Sequence, residues 1–125
     1  MITEDYVSLE TAELLKEKGF NEATYTYYLS DGSFYLSPMA VDNKNLYAHG
    51  HVSAPTLQMA VKWLMENKGI AIIPILSSIL DNEKFLWDIK IVVAKTGESY
   101  SQGWIYEKQE EAFNIAIKYC LESLI

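Results

Sequence analysis

Two histidines stand two residues apart at His49-Gly50-His51, and Ser53 and Thr56 follow them directly. On an extended strand residues i and i+2 face the same side, so the two imidazoles are expected to point together. A helix starting just beyond them would add free backbone N–H groups and the Ser53 and Thr56 hydroxyls, a donor set suited to an anion or another small ligand. A plainer reading is a loop that leads into a capped helix. As a metal site the pair lacks further ligands, Asp42 being the nearest acid, so no metal is expected.

The other reactive side chains form no constellation. Cys120 is the single cysteine and sits in an apolar helical stripe, where a thiol behaves as a small buried hydrophobe. The carboxylate pairs Glu4-Asp5 and Glu110-Glu111 fall at expected helix starts, where the helix dipole already explains them. There is no GxGxxG or GxxxxGK loop, and no serine stands in a nucleophile elbow with histidine and acid partners. No catalytic residue and no cofactor are therefore assigned.

Charge narrows the partners further. The chain of 125 residues carries 17 acids against 10 basic residues, for a net charge of −7. All of the basic residues are lysine. Nucleic-acid binding draws on a basic stripe and on guanidinium groups that read phosphate and guanine in bidentate fashion, and neither is present. Six of the acids lie within residues 1–22, against Lys16 and Lys18, which suits a solvated helix face or a face that docks a basic partner. No apolar run approaches the roughly 18 residues of a membrane-spanning helix, and the first residues are acidic where a signal peptide is basic. A cytoplasmic, reducing location is the expectation.

The elements that must position these residues follow from periodicity. At this length one domain, residues 1–125, can bury roughly two-thirds of its unfolded surface. Ser8 to Lys18 reads as a helix capped by Ser8 and stopped by Gly19. A hairpin follows, in which Tyr25, Tyr27 and Leu29 face one way and Thr24, Thr26 and Tyr28 the other. Its turn is Ser30 to Ser33, with Phe34 to Leu36 as the returning strand. Residues 38–51 are turn-formers that leave room for one short strand around Leu46 and Tyr47. Leu57, Ala60, Val61 and Leu64 mark a helix over Ser53 to Asn67, with Pro55 in its first turn, Ser53 or Ala54 as cap, and Gly69 as stop.

Three strands are then expected: residues 70–77, the clean alternation from Phe85 to Val93, and Ser99 to Tyr106 with Tyr100, Gln102, Trp104 and Tyr106 on one side. Pro74 cannot donate to a ladder, so its strand belongs at an edge or carries a bulge. Phe113, Ala116, Ile117, Cys120 and Leu124 share the stripe of a closing helix, Glu107 to Leu124. The sum is an α+β, two-layer domain of order α-ββ-α-βββ-α. Its mainly antiparallel sheet would have four to five strands, with the second and third helices packed on one face.

One stretch carries a likeness. Ala54-Pro55-Thr56, Ala60, Lys62-Trp63-Leu64 and Glu66, followed by the β-rich Ile70 to Ile75 and a closing helix through Glu110-Glu111-Ala112 and Tyr119-Cys120-Leu121, resembles small uncharacterised proteins of bacteriophages and mobile elements of gut bacteria. The resemblance covers residues 53–125 and implies provenance without chemistry, since that group has no assigned activity. The chain departs from its pattern at Lys108 and Gln109, between the strand end and the helix start. Nine tyrosines and three tryptophans add a second hint, because such rings are enriched at interfaces. Tyr28 and Tyr35, placed on the polar side of the hairpin, and the strand edge at Pro74 are the candidate interface. The expected function is a non-enzymatic binding or adaptor module acting through protein contacts, with a homo-oligomer as one form and no nucleic-acid or membrane partner. The alternative is a small-molecule or anion binder, or a hydrolase, centred on His49, His51 and the helix start.

Overall fold

The computed structural model describes residues 4–46, 49–101, 103 and 105–125, and Tyr47, Gln102 and Trp104, which entered the strand readings above, lie outside them. Its elements are α1 (Leu9–Glu17), β1 (Thr24–Tyr28), β2 (Phe34–Val41), α2 (Asn43–Leu46), β3 (Val52–Ser53), α3 (Leu57–Lys68), β4 (Ile70–Leu80), β5 (Lys84–Val93), β6 (Ser99–Ser101) and α4 (Gln109–Tyr119). The class is α+β with antiparallel pairing throughout, as expected. The expected single sheet is instead two three-stranded sheets, ordered β2-β1-β3 and β4-β5-β6. Backbone contacts divide the chain into two compact units, Met1–Met59 and Ala60–Ile125, with the boundary inside α3.

In the first unit α1 begins as read. The Ser8 Oγ accepts from Thr11 N–H at 3.3 Å, and the helix ends where Gly19 adopts φ +100° and the N–H groups of Lys18, Gly19 and Phe20 satisfy the last carbonyls. Thr11, Ala12 and Leu15 form its buried side, which packs on β3. The hairpin forms with Tyr27 opposite Tyr35 and Tyr28 opposite Phe34, and β1 is filled on its other edge by β3. β1 is thus the central strand of this sheet, with β2 and β3 at its edges. Pro38 is accommodated because β2 is the edge strand.

The hairpin's faces are reversed from the expectation. Thr24 and Thr26 are buried, whereas Tyr25 is 59% exposed. The inward threonines are satisfied locally: Thr24 Oγ1 donates to Thr26 O at 2.8 Å and Thr26 Oγ1 to Ala54 O at 2.6 Å. Burying a hydroxyl is inexpensive once it is hydrogen-bonded, and a tyrosine keeps its polar tip in water by facing out.

The segment read as turns holds a short helix, α2, and the short strand lies further on, at Val52–Ser53. One side chain joins them. Asn43 is buried; its Nδ2 donates to Phe20 O at 2.8 Å and its Oδ1 accepts from Ser53 N–H at 2.8 Å. The amide thereby ties the end of α1 to β3 through α2.

The second unit is built on the β4–β5 ladder, which runs from Ile70 opposite Val93 to Leu80 opposite Lys84, with one irregularity between Leu76 and Ser78. Ala94 N–H donates to Gly69 O, while Trp87 and Val93 donate to Tyr106 O and Glu98 O on the far side. By the alternation of an antiparallel ladder, odd-numbered β4 residues up to Ile75 face β5, and Ile70, Ile72, Pro74 and Leu76 turn their backbone polar groups to the open edge. Pro74 therefore removes a donor from an edge and costs the ladder nothing, as expected of it. Asp81 and Asn82 close the hairpin in left-handed conformations, φ +52° and +57°, which these two residue types tolerate better than most.

β6 stops at Ser101 rather than running to Tyr106. Tyr106 pairs with β5 opposite Trp87, in a register offset by two from that of β6, so that Tyr100 and Tyr106 keep one side. Helix α4 lies on β4 and β5. Its expected stripe is rotated at the end: the chain widens into a π-helical turn, Cys120–Leu124, which brings Leu121 inside in place of Leu124.

The helix expected from Ser53 starts only at Leu57, because Ser53 is in β3 and Pro55 O is held by Val7 N–H at 3.1 Å. Replacing Asn43 by alanine leaves the Phe20 carbonyl and the Ser53 N–H without their buried partner. The expected loss is about 3 kcal/mol of folding stability, measured as a lower denaturant midpoint with an unchanged slope.

Candidate functional site

The two histidines do come together. Their rings stack at 5.8 Å, His51 stacks in turn on Tyr27 at 5.5 Å, and Tyr27 meets Tyr35 at 5.2 Å. The row lies on the outward face of the first sheet, because Tyr27 and Tyr35 are cross-strand neighbours and His51 precedes Ser53, opposite Tyr27, by two residues. His51 Nδ1 accepts the Ser30 N–H at 3.1 Å. A backbone N–H can only donate, so Nδ1 holds the lone pair and the hydrogen of the neutral ring sits on Nε2. This imidazole presents a donor, not a metal-ready lone pair. Among the described residues no group of three or more His, Cys, Asp or Glu is placed to hold a metal ion.

The helix start does not add to this pair. Thr56, not Ser53 or Ala54, caps α3: its Oγ1 accepts from Met59 N–H at 3.1 Å. Leu57 N–H is already given to Asp5 O at 3.0 Å. Ser53 is 1% exposed, and its Oγ is a buried hydroxyl with no hydrogen-bond partner among the described residues. The donors that the sequence offered to an anion are thus spent on capping or enclosed in the fold.

Asp31 lies beside the row, and its Oδ1 accepts from Ser33 Oγ at 2.5 Å and Ser33 N–H at 2.8 Å. These two bonds, the hydroxyl's foremost, hold its carboxyl below the usual range. Cys120 is fully buried on the helical layer of the second unit, and desolvation pushes its thiol up to about 12. Such a thiol is not a nucleophile at neutral pH.

The three interface candidates separate. Tyr28 and Tyr35 fall on opposite faces of the first sheet, because adjacent rungs alternate. Tyr28 is half-buried; its hydroxyl donates to Val7 O at 2.6 Å, its ring meets Phe34 edge-on at 5.6 Å, and burial raises its pKa. Tyr35 is exposed at the end of the ring row. Pro74 is on the second sheet's open edge.

A different surface was not anticipated. The face of β4–β5 that α4 covers carries Ile72, Pro74, Ile89 and Ile91, and the same face continues through Leu76 and Trp87 to the cross-strand pair Ile79–Phe85. Ile89 and Ile91 are 1% exposed, whereas Leu76, Ile79 and Phe85 are 47%, 56% and 55% exposed. The apolar stripe therefore outruns its cover. The sequence held a trace of this: the alternation of Phe85, Trp87, Ile89 and Ile91 begins before the buried rungs, and Ile79-Leu80 lies beyond the expected strand end.

Comparison of the chain with family models, with curated proteins and with solved structures finds no match, so its chemistry is read from its own residues. No helix among the described residues is long and apolar enough to cross a membrane.

Two outcomes follow. Thr56→Ala is expected to cost about 1 kcal/mol in stability, recovered by Thr56→Ser, in urea unfolding. The Cys120 thiol binds its proton more tightly folded than unfolded, so its contribution is complete below its ordinary pKa of 9.0 and is lost as pH rises toward about 12. Stability measured across that window should fall more steeply for the native chain than for Cys120→Ala, and native Cys120 should resist thiol reagents that modify it once unfolded.

Proposed function

We propose that the chain is a non-enzymatic binding module that acts through protein contacts made by the distal end of the β4–β5 hairpin. The observation that carries this reading is the uncovered stripe of Leu76, Ile79 and Phe85, continuous with the buried face beneath α4. A contiguous apolar surface of this kind costs solvation energy and persists in folded proteins mainly where something binds. Continuity also sets the partner's chemistry. What α4 supplies to the proximal rungs, an apolar helical face laid across the strands, a partner supplies to the distal ones.

Pro74 argues for face rather than edge, because it interrupts the open donors that strand addition would need. An accessory role of phage type rests on the resemblance carried by Ala54 to Glu66 and the closing helix.

The stripe is tested by Ile79→Thr with Phe85→Thr, which keeps strand preference while removing apolar area. Ile73→Thr with Ile75→Thr, on the opposite face, is the control. The distal pair should reduce the fluorescence enhancement of anilinonaphthalene sulfonate, leave the melting midpoint nearly unchanged, and abolish both any concentration-dependent dimer in sedimentation and retention of proteins that the native chain and the control retain. Equal behaviour of all three chains would overturn the reading.

A further inference from the structure

The first sheet closes one of its edges and leaves the other open. On the β3 side the Ser53 N–H is taken by Asn43 Oδ1. On the other side β2 is the outermost strand. The direction of its polar groups follows from bonds already made. Leu29 N–H donates to Ser33 O at 2.8 Å and Ala54 N–H to Thr26 O at 3.0 Å, so Tyr27 bonds to β2 through Tyr35, while Thr26 and Tyr28 turn to β3. Phe34 and Leu36, opposite Tyr28 and Thr26, therefore point N–H and C=O away from β1, and no strand among the described residues pairs with them there. Their side chains share the inner face with Thr26 and Tyr28. α1 packs on that face at β3. At β2, Phe34 and Leu36 remain 47% and 69% exposed, with the Phe34 ring seated against Tyr6 at 5.0 Å.

An open edge is ordinarily guarded by a charge, a proline or a bulge. Here the guards stand outside the open rungs. β2 bulges after Leu36, since Leu36 to Val41 is matched on β1 only by Thr26 to Thr24, and the bulge holds Pro38 and a Met39 N–H that donates to Ser37 Oγ. No charged residue occurs from Gly32 to Val41, whereas Asp31 and Asp42 stand at either end of that stretch. The unit as a whole is acidic, with eight acids and three lysines in residues 1–59. Two such edges brought together would set like charge against like, so a second copy of this chain is disfavoured as the occupant.

We propose that the Phe34 to Leu36 edge receives an extended, basic segment of a partner protein, which adds a fourth, antiparallel strand to the first sheet. Two hydrogen-bonded rungs form, at Phe34 and at Leu36. The segment must carry free N–H groups at those rungs and apolar side chains beside Phe34 and Leu36 on the inner face. The residue between them faces outward next to Tyr35, and basic residues at its ends complement Asp31 and Asp42. This surface is separate from the β4–β5 stripe, and it takes a strand where the stripe takes a helical face.

The test adds the blocked heptapeptide Lys-Thr-Val-Thr-Val-Thr-Lys to the full chain and follows amide hydrogen exchange. The Phe34 and Leu36 amides should exchange quickly in the free chain and slowly with peptide, while Tyr35, bonded to β1, is protected throughout. N-methylation of both valines removes the donors and should abolish binding, whereas N-methylation of the central threonine, whose N–H points away from β2, should not. A peptide ending in glutamates should bind about tenfold more weakly at low salt. Leu36→Pro removes an outward donor without touching the β1 ladder and should weaken binding about tenfold. Should it fold poorly, Leu36→Thr must still weaken binding severalfold. Ile79→Thr with Phe85→Thr should bind peptide as the native chain does, which separates this site from the hairpin stripe. Protection of Phe34 and Leu36 on concentrating the chain alone would assign the edge to a second copy and overturn the proposal. Equal binding of the valine-methylated peptide, or no protection by the native one, would do the same.

Discussion

The strict alternation of the β4–β5 ladder is the constraint from which the second unit follows. Because neighbouring rungs present opposite faces and opposite hydrogen-bonding directions, one choice of register decides several things together. It places Ile72, Ile89 and Ile91 under α4. It turns Pro74 to the open edge, where a missing N–H costs nothing. It also carries Leu76, Ile79 and Phe85 past the end of the helical layer. A shift of one residue would bury Lys90 and Asp88 in place of the isoleucines, and no compensation for two charges exists beneath an apolar helix.

In the first unit the buried polar side chains of β1 and α2 are satisfied within the fold, while the Ser53 hydroxyl has no partner among the described residues. Thr24, Thr26 and Asn43 are inside, and all three have side-chain hydrogen bonds to backbone carbonyls or N–H groups. This leaves Tyr25, Tyr27 and Tyr35 on the outward face, where Tyr27 and Tyr35 build the row of rings with His49 and His51. The same economy acts at the start of α3. Its donors are consumed by Thr56 and by Asp5.

The elements with strong periodicity were legible from their letters alone: α1 with its Ser8 cap and Gly19 stop, the β1–β2 hairpin, the body of α3, the Phe85 to Val93 strand, the closing helix, and the edge assignment of Pro74. Local sterics and hydrogen bonding fix these, and both are properties of a few neighbouring residues. The pairing of His49 with His51 was legible for the same reason, since it needs only the two-residue period of extended backbone.

What the letters could not decide depends on atoms far apart in the chain. Which face of β1 is buried turns on a carbonyl of Ala54, 28 residues from Thr26. The cap of α3 was displaced by Val7 and Asp5 bonding to Pro55 and Leu57, and the second edge of β1 is filled by β3, from well along the chain. The overrun of the stripe beyond α4 is likewise a property of where elements end in space. Residue type and period determine what each segment is; only the folded chain determines which hydrogen-bonding groups are already used, and so what remains available to bind.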